Sequence, residues 1–373
     1  MVTSRSLVTP SFNPLLEQAL RDKLARRNER GGSLGELEPL AVRLGLMQNS
    51  LKPRFHDPQL LVFAADHGLV VEEVAAGAQR STADTVKMVL ANQLPLTVFA
   101  RSQGLAVTVV DCGMAENLPA SERLMVRKIA HGTRNTRVAP AMSLEQAHAG
   151  MRAGMQIGEK LAGNATVFAG VGVGAQESAA LVLARLSDSP VQELFNGGAA
   201  RGGEDLSKRL DFARSALQRH RDVTEPIEVL AAFGGYEVAV MVGVMLMAAS
   251  KRQLLMVDGL PACAALMVAA RIAQPVTDYS MFSRSHSHRG LDQALRLFHA
   301  SALLELGMES TDGTGATLAW PLVKSAAALL TEVADGEDAG PTRPGALDGA
   351  APASGFGHTE QTVPAAFGGP ALY

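Results

Sequence analysis

ATVFAGVGVGAQES, residues 165–178, contains the pattern that decides the fold of this chain. The apolar run 165–169 is typical of a buried strand, GVGVGA indicates a tight glycine loop, and a helical segment follows over 178–186. Backbone N–H groups at the start of such a helix can hold a phosphate. The loop also fits the dinucleotide fingerprint G-x-G-x-x-[GA], but it lies mid-chain, and no clear strand ending in an acid follows about twenty residues later. We therefore favour a phosphate or nucleotide contact over NAD binding, with a structural turn as the other alternative.

Further apolar runs end in short motifs in the same way, and helical segments separate them. The runs and their endings are 60–65 into DHG, 105–110 into DCG, 165–169 into GVGVG, and 253–257 into DG. Apolar runs of this length that alternate with helices indicate parallel β-α-β units, buried on both faces. The fold class is therefore predicted to be α/β. Ligands of such sheets bind beyond the carboxyl ends of the strands, so these motifs are predicted to line the site.

Composition excludes several classes of protein. The 373 residues carry a formal net charge of −3, which gives no electrostatic case for nucleic acid or for an anionic membrane. Cys112 and Cys263 are far apart and form no CxxC motif, so neither a disulfide framework nor a zinc site is expected. The start, MVTSRSLVTPSFNP, has no apolar core of a signal peptide, and a cytoplasmic location is the expectation.

One stretch, 229–250, has the length and hydrophobicity of a membrane span. Gly234 and Gly235 interrupt it, however, and Glu237 would place an acid within the lipid, which is costly. A buried helix that starts near Gly235 explains the stretch better. Glu237 is then either an acid favoured by the dipole of the first helical turn or a ligand of a ribose, and both interpretations stay open.

Three other groups of polar residues are candidates for chemistry. Asp66 and His67, at the end of a strand, are either a catalytic pair or structural hydrogen-bond partners. The HSH segment at 286–288 offers two imidazoles to a metal, although such a motif alone is weak support. DGTGA at 312–316 precedes an apolar run and resembles a helix N-terminus. Asp312 or Thr314 either caps that helix, or the loop contacts substrate with Asp312 as a proton acceptor.

Taken together, the motifs resemble those of the nicotinate-nucleotide–dimethylbenzimidazole phosphoribosyltransferase family of cobalamin nucleotide-loop assembly. The resemblance runs from about residue 15 to residue 335. Its motifs, in chain order, are GGSLGELEPLA (31–41), VFAADHGLVVEEV (62–74), VTVVDCGM (107–114), GTRNTRVAPAM (132–142), GVGVG (170–174), GGYEVA (234–239), LMVDGLPACAA (255–265) and DGTGATLA (312–319).

The resemblance implies a Rossmann-like domain at 51–320, with a smaller helical domain formed by 1–50 and 321–335, in a homodimer. The tail 336–373, rich in glycine and proline, is expected to be disordered. The implied substrates are small molecules, nicotinate mononucleotide and a benzimidazole-type base, and the reaction requires no metal or redox cofactor. Asp312 is the implied base. The implied substrate-binding residues are Asp66, His67, Gln79, Gly172, Gly174, Glu237, Asp258, Gly313, Thr314 and Gly315.

The chain departs from the family pattern at several positions. Asp312 stands where the family has a glutamate base. Aspartate is one methylene shorter, so its carboxylate is withdrawn by roughly 1–1.5 Å, and a displacement of about 1 Å can lower the rate on the order of a hundredfold. Gly170 replaces a family acid, and Ala75 and His288 replace a serine and a glutamate. Beside the family reaction itself, with a larger or more deeply bound acceptor or with slow turnover, these departures leave two alternatives open: a transferase for another acceptor base, or a non-catalytic or regulatory nucleotide-binding paralogue.

Overall fold

The computed structural model describes residues 7–72, 80–195, 203–285, 289–308 and 312–333. Within these ranges seven strands form one sheet in the order β3-β2-β1-β4-β5-β6-β7, and all neighbouring strands are parallel. The predicted α/β class with a Rossmann-like parallel sheet is confirmed. The strands are β1 (Gln59–Ala65), β2 (Ala106–Gly113), β3 (Leu124–Val126), β4 (Ala165–Val171), β5 (Leu254–Val257), β6 (Ser280–Ser285) and β7 (Ala302–Glu305).

Helices cover both faces of this sheet. Thirteen α-helices lie within the described ranges, together with two 3₁₀ turns at Gly68–Glu72 and Gln274–Tyr279. The α-helices are α1 (Pro14–Gly31), α2 (Leu37–Gln48), α3 (Thr82–Leu90), α4 (Pro95–Ser102), α5 (Leu144–Lys160), α6 (Ala175–Ser187), α7 (Val191–Phe195), α8 (Gly203–Arg219), α9 (Pro226–Phe233), α10 (Tyr236–Ser250), α11 (Leu260–Ile272), α12 (Arg289–Leu297) and α13 (Thr314–Thr331).

The strand order places the candidate motifs together. Neighbours of β1 are β2 on one side and β4 on the other, so the chain order of the strands reverses between β1 and β4. Loops that leave two such strands in opposite directions open a crevice at their carboxyl ends, where open α/β sheets bind ligands. The loops that border this crevice are DHG after β1 and GVGVG after β4.

The apolar stretch 229–250 forms two helices, α9 and α10, separated at Gly234 and Gly235. The prediction of a buried helix that starts near Gly235 is confirmed, and α10 is buried along nearly its whole surface. In the described part of the chain, no helix combines the length and the hydropathy that a membrane span needs.

Several features differ from the sequence-based expectation. The helical segment expected between the DHG and DCG motifs is two helices, α3 and α4, because Pro95 begins a new first turn. The short strands β3, β6 and β7 have no predicted counterpart. Helix α13 packs against α2, and it runs without a break across residue 320, the predicted boundary between the Rossmann-like and helical domains. The division into domains at 50, 320 and 335 stays a prediction, and the tail 336–373 lies outside the described residues.

Helices α5 and α10 approach each other through glycines. A Cβ on Gly154 of α5 would lie 2.0 Å from the carbonyl oxygen of Val240 on α10. A Cβ on Gly243 of α10 would lie 2.0 Å from the carbonyl oxygen of Met151 on α5. Backbone-to-backbone packing of this kind holds α10, and with it the start of the helix at Gly235, in place on the sheet.

We predict that Gly154→Ala destabilises the protein by about 1–3 kcal/mol, because the added methyl group must separate two packed backbones. Gly31→Ala is the matched control, since a Cβ there would meet no atom within 4 Å. Urea unfolding followed by circular dichroism measures both. Equal unfolding midpoints for the two variants would contradict the close approach of α5 and α10.

Candidate active site

Asp66 connects four segments at the carboxyl edge of the sheet. It follows β1, and its Oδ1 accepts a hydrogen bond from the Thr82 hydroxyl at the start of α3 (2.5 Å). Its Oδ2 accepts one from the N–H of Ala115, after β2 (2.7 Å). The Thr82 oxygen in turn accepts the N–H of Val173 in the glycine loop (3.1 Å). Asp66 therefore positions the loops that border the crevice.

The glycine loop itself leads from β4 into α6. Gly174 is the N-cap of α6 and has φ +87°, a left-handed conformation that favours glycine. A Cβ on Gly172 would lie 2.1 Å from the carbonyl oxygen of Ala65, so the loop packs directly on the end of β1. The N-terminus of α6 thus opens onto the crevice, and it is a suitable place for a phosphate group.

His67 and Glu237 form a buried pair beneath this loop. Their side chains are 0% exposed, and His67 Nε2 lies 3.2 Å from Glu237 Oε1. This distance fits an ion pair, and no other described residue hydrogen-bonds to either side chain. Burial lowers the pKa of His67, but Glu237 raises it, with further contributions from Asp66 and Glu177. The net pKa lies above the usual histidine value.

A second buried ion pair lies close by. Glu177, in the first turn of α6, accepts a hydrogen bond from Nη2 of Arg209 on α8 (3.0 Å), and both side chains are largely buried. Sequence reasoning missed this pair. An acid three residues after Gly174, in the first turn of the predicted helix, was a usable signal for Glu177, but nothing in the sequence indicated Arg209, which is 32 residues away.

Asp312 lies at the start of α13. Its Oδ1 accepts hydrogen bonds from the N–H of Thr314 (3.0 Å) and from the Thr314 hydroxyl (2.6 Å). Gly313, the N-cap, has φ +92°, and a Cβ there would lie 2.7 Å from Cβ of Ala169 on β4. The Asp312 loop therefore packs beside the strand that carries the glycine loop. Asp312 stabilises the first turn of the helix and is partly exposed.

Asp258 attaches the same helix to the end of strand β5. It follows β5, is almost fully buried, and its Oδ2 accepts the N–H of Ala316 at 3.3 Å. A carboxylate at a helix N-terminus is favoured by the helix dipole. Thr314 and Gly315 are also buried in this first turn. Asp258 therefore positions α13 and, through it, the loop that carries Asp312.

Gly170, where the resemblance leads us to expect an acid, has no room for one. A Cβ there would lie 2.5 Å from Cβ of Pro261 on α11 and 3.2 Å from Cε of Met241 on α10. The position faces packed helices on one side of the sheet, whereas the Asp312 loop packs on Ala169, on the other side. The packing around Gly170 therefore leaves no space for the acid that the family has at this position.

The structure thus brings the predicted site residues into two groups. Gly172 and Gly174 border the crevice, Asp66 holds the loops around it, and His67 and Glu237 are buried beneath it. The second group consists of Asp258, Asp312, Gly313, Thr314 and Gly315. Gln79, His286 and His288 lie outside the described residues. Contact of any of these residues with substrate stays a prediction.

A separate concavity of about 410 Å³ lies elsewhere. Residues just before β1 and β2 line it, so it opens at the amino ends of the strands and not at the crevice. Its lining includes Arg54, Phe55, Gln103, Trp320 and Lys324.

Comparison with known proteins identifies the family. A family model described as "Phosphoribosyltransferase" matches residues 9–340. Nicotinate-nucleotide–dimethylbenzimidazole phosphoribosyltransferase of Cupriavidus taiwanensis is 39% identical over 333 residues, which cover 88% of this chain and 95% of that protein. The protein of the same name from Ralstonia nicotianae is 38% identical over 351 residues, 91% of this chain and 98% of that protein.

A solved structure agrees with these relatives. The crystal structure of the Thermus thermophilus enzyme of that name superposes with a TM-score of 0.80 at 30% identity, and covers 86% of this chain and 96% of that one. The resemblance inferred from the ordered motifs is confirmed. The chain belongs to the nicotinate-nucleotide–dimethylbenzimidazole phosphoribosyltransferase family.

Proposed function

We propose that this protein is a pentosyltransferase of cobalamin biosynthesis. It moves phosphoribose from nicotinate mononucleotide to 5,6-dimethylbenzimidazole or a related base, and it releases nicotinate and an α-riboside phosphate. The observation that carries this proposal is the family match over residues 9–340, together with relatives of the same name that this chain covers almost completely. The position of the two groups of site residues, at the carboxyl edge of the sheet, supports it.

The donor nucleotide is assigned to the crevice between β1 and β4. Its phosphate faces the glycine loop and the N-terminus of α6, where Gly172 allows the loop to pack on β1 and Gly174 provides the left-handed turn. Asp66 holds this loop in place through Thr82. These hydrogen bonds fix the loop before the substrate binds. A loop that is already fixed lowers the entropic cost of positioning the ribose.

The acceptor is assigned to the neighbouring loop that carries Asp312. One nitrogen of the base attacks C1′ of the ribose, and the bond from C1′ to the nicotinate nitrogen breaks. The departing nitrogen takes the electron pair, which neutralises the pyridinium. The N–H proton of the base passes to Asp312, the general base. Because Thr314 holds Oδ1, we assign the proton to Oδ2.

The assembly and the location of the protein form part of the same proposal. The family resemblance implies a homodimer, with α1, α2 and the end of α13 as a small helical domain, and the expected cytoplasmic location is kept as part of the proposal. The packing of α13 against α2 and of α1 against α2 supports this division. Light scattering after size-exclusion chromatography tests the dimer.

The direct test of the function is an assay with purified protein. We expect nicotinate mononucleotide and 5,6-dimethylbenzimidazole to give equal amounts of nicotinate and riboside phosphate, measured by liquid chromatography and mass spectrometry. A parallel screen with other benzimidazoles, purines and phenols compares acceptors. Nucleotide binding without release of nicotinate in any reaction would favour a non-catalytic paralogue instead.

Asp312→Asn tests the general base. The amide oxygen can still accept from Thr314, so the helix start is preserved, but the side chain can no longer take a proton. We expect kcat to fall by about 10²–10⁴-fold, the usual contribution of general base catalysis. The KM for nicotinate mononucleotide should change little.

Asp312→Glu is the matched control for this experiment, because it keeps an ionised carboxylate. We expect its turnover to be at or above that of the natural protein. A kcat for Asp312→Asn within a factor of about three of the natural value, well short of the 10²–10⁴-fold expected of a general base, would remove Asp312 from the mechanism.

Gly170→Glu restores the acid that the family resemblance leads us to expect. We expect a lower melting temperature and no gain in turnover, because the side chain would be forced against Pro261 and Met241. Thermal unfolding and the nicotinate-release assay measure the two effects. Higher turnover at an unchanged melting temperature would contradict the packing described for this position.

A further inference from the structure

The His67–Glu237 pair has no role in the chemistry above, yet three glycines surround it. Cβ atoms on Gly172 and Gly174 would lie 3.6 Å and 3.2 Å from the His67 side chain. A Cβ on Gly235 would lie 2.1 Å from Glu237 Oε2 and 2.4 Å from His67 Cε1. The pair therefore fills the space between the glycine loop and the start of α10, directly against the backbone of both.

The charges around His67 can be accounted for one element at a time. Asp66, at the end of β1, receives two hydrogen bonds, and Glu177 on α6 is paired with Arg209 on α8. Glu237 on α10 has only His67 within ion-pair distance among the described residues. The Cys112 thiol on β2 is also near Glu237, but burial and the Glu237 charge raise the pKa of the thiol well above its usual value, so it stays neutral. A buried carboxylate without a counter-ion is costly. One proton shared by His67 and Glu237 makes the pair neutral overall, whichever residue holds it.

We propose that His67 and Glu237 share a proton as a positioning pair beneath the phosphate-binding loop, and that this proton is required for tight binding of the anionic nucleotide. This inference rests on the proposed function, because the ligand is nicotinate mononucleotide. In this proposal both side chains act from beneath the loop, where they are fully buried, and not by touching the substrate. When the proton leaves, a net negative charge appears under the loop that receives the phosphate, and the phosphate is repelled.

The direction of the pH effect follows from the raised pKa of His67. A group with a raised pKa in the folded state contributes fully at low pH, and its contribution is lost as the pH rises through that pKa. Affinity for the nucleotide should therefore be highest below the pKa of His67 and fall as the pH rises through it, on the alkaline side of the usual histidine value. By reciprocity, binding of the phosphate under those conditions should take up part of a proton.

The test is calorimetric titration of nicotinate mononucleotide between about pH 7 and pH 9.5, where its phosphate, with a second pKa of about 6, is fully ionised. We expect the affinity of the natural protein to fall on the order of a hundredfold. This matches one unit charge roughly 10 Å from a doubly charged phosphate at an effective dielectric constant of about 20. Buffers with different ionisation enthalpies measure the proton uptake.

Glu237→Gln distinguishes a shared proton from a purely structural role of the pair, because only a shared proton makes the nucleotide affinity depend on pH. A neutral imidazole beside an amide carries no net charge, so the alkaline fall in affinity and the proton uptake should both disappear. His67→Gln should have the opposite effect, weak binding already at neutral pH. A uniform loss of affinity in Glu237→Gln, with the alkaline fall retained, would overturn the inference.

His220→Gln is the matched control. His220 is also buried, but its Nε2 lies 2.9 Å from the carbonyl oxygen of Thr136, and no carboxylate is within ion-pair distance in the described part of the chain. We expect this variant to keep the alkaline fall. Loss of the fall in His220→Gln as well would show that any buried histidine change has this effect, and would overturn the inference.

Two further measurements separate this inference from the proposed function. Release of nicotinate in the activity assay, combined with an affinity that does not depend on pH, would overturn the shared proton and leave the function intact. No binding of nicotinate mononucleotide at any pH would overturn both. Titration of the ¹⁵N-labelled His67 ring without ligand should show a pKa above the usual histidine value that falls in Glu237→Gln. An unshifted ring would overturn the inference without reference to activity.

Discussion

The carboxylate of Asp66 is the contact on which the geometry of the site depends. Parallel strands place their carboxyl ends at one edge of the sheet, but the loops that leave them diverge. Asp66 holds them together, because its two oxygens accept from Thr82 and from the backbone of Ala115, and Thr82 accepts from Val173. The loops after β1, β2 and β4 thus share one anchor, and the start of α3 is tied to them.

Below this anchor the protein buries an unusual amount of charge. His67 and Glu237 form one neutral unit, and Glu177 with Arg209 forms another. Ion pairs out of contact with water are not a favourable source of stability, since desolvation offsets much of their attraction. We interpret these ion pairs as positioning the first turns of α6 and α10 and not as a source of stability. Both acids occupy first turns of helices that point at the crevice, where the helix dipole favours a negative side chain.

Packing and hydrogen bonds in the folded protein account for two departures from the family pattern, at Gly170 and at Asp312. Gly170 is packed against Pro261, so the space for an acid has been filled. Asp312 is shorter than a glutamate, but Thr314 fixes one of its oxygens, and Asp258 fixes the helix on which the loop depends. The carboxylate of Asp312 extends less far than that of a glutamate, but its hydrogen bonds to Thr314 fix its orientation. The chain therefore keeps a positioned carboxylate, that of Asp312, where the family has its glutamate base.

Local patterns in the sequence determined the unit of strand, glycine loop and helix at 165–178, the buried helix after Gly235, and the family, through ordered motifs. These features depend on residues that are neighbours along the chain. Only the tertiary structure decided the strand order, the bridge through Thr82, the pairing of Glu177 with Arg209, and the burial of His67 against Glu237. Such contacts join residues that are distant along the chain, and they depend on the direction of each side chain when the helices pack. Periodicity in one segment carries no information about the partner that another segment brings to it.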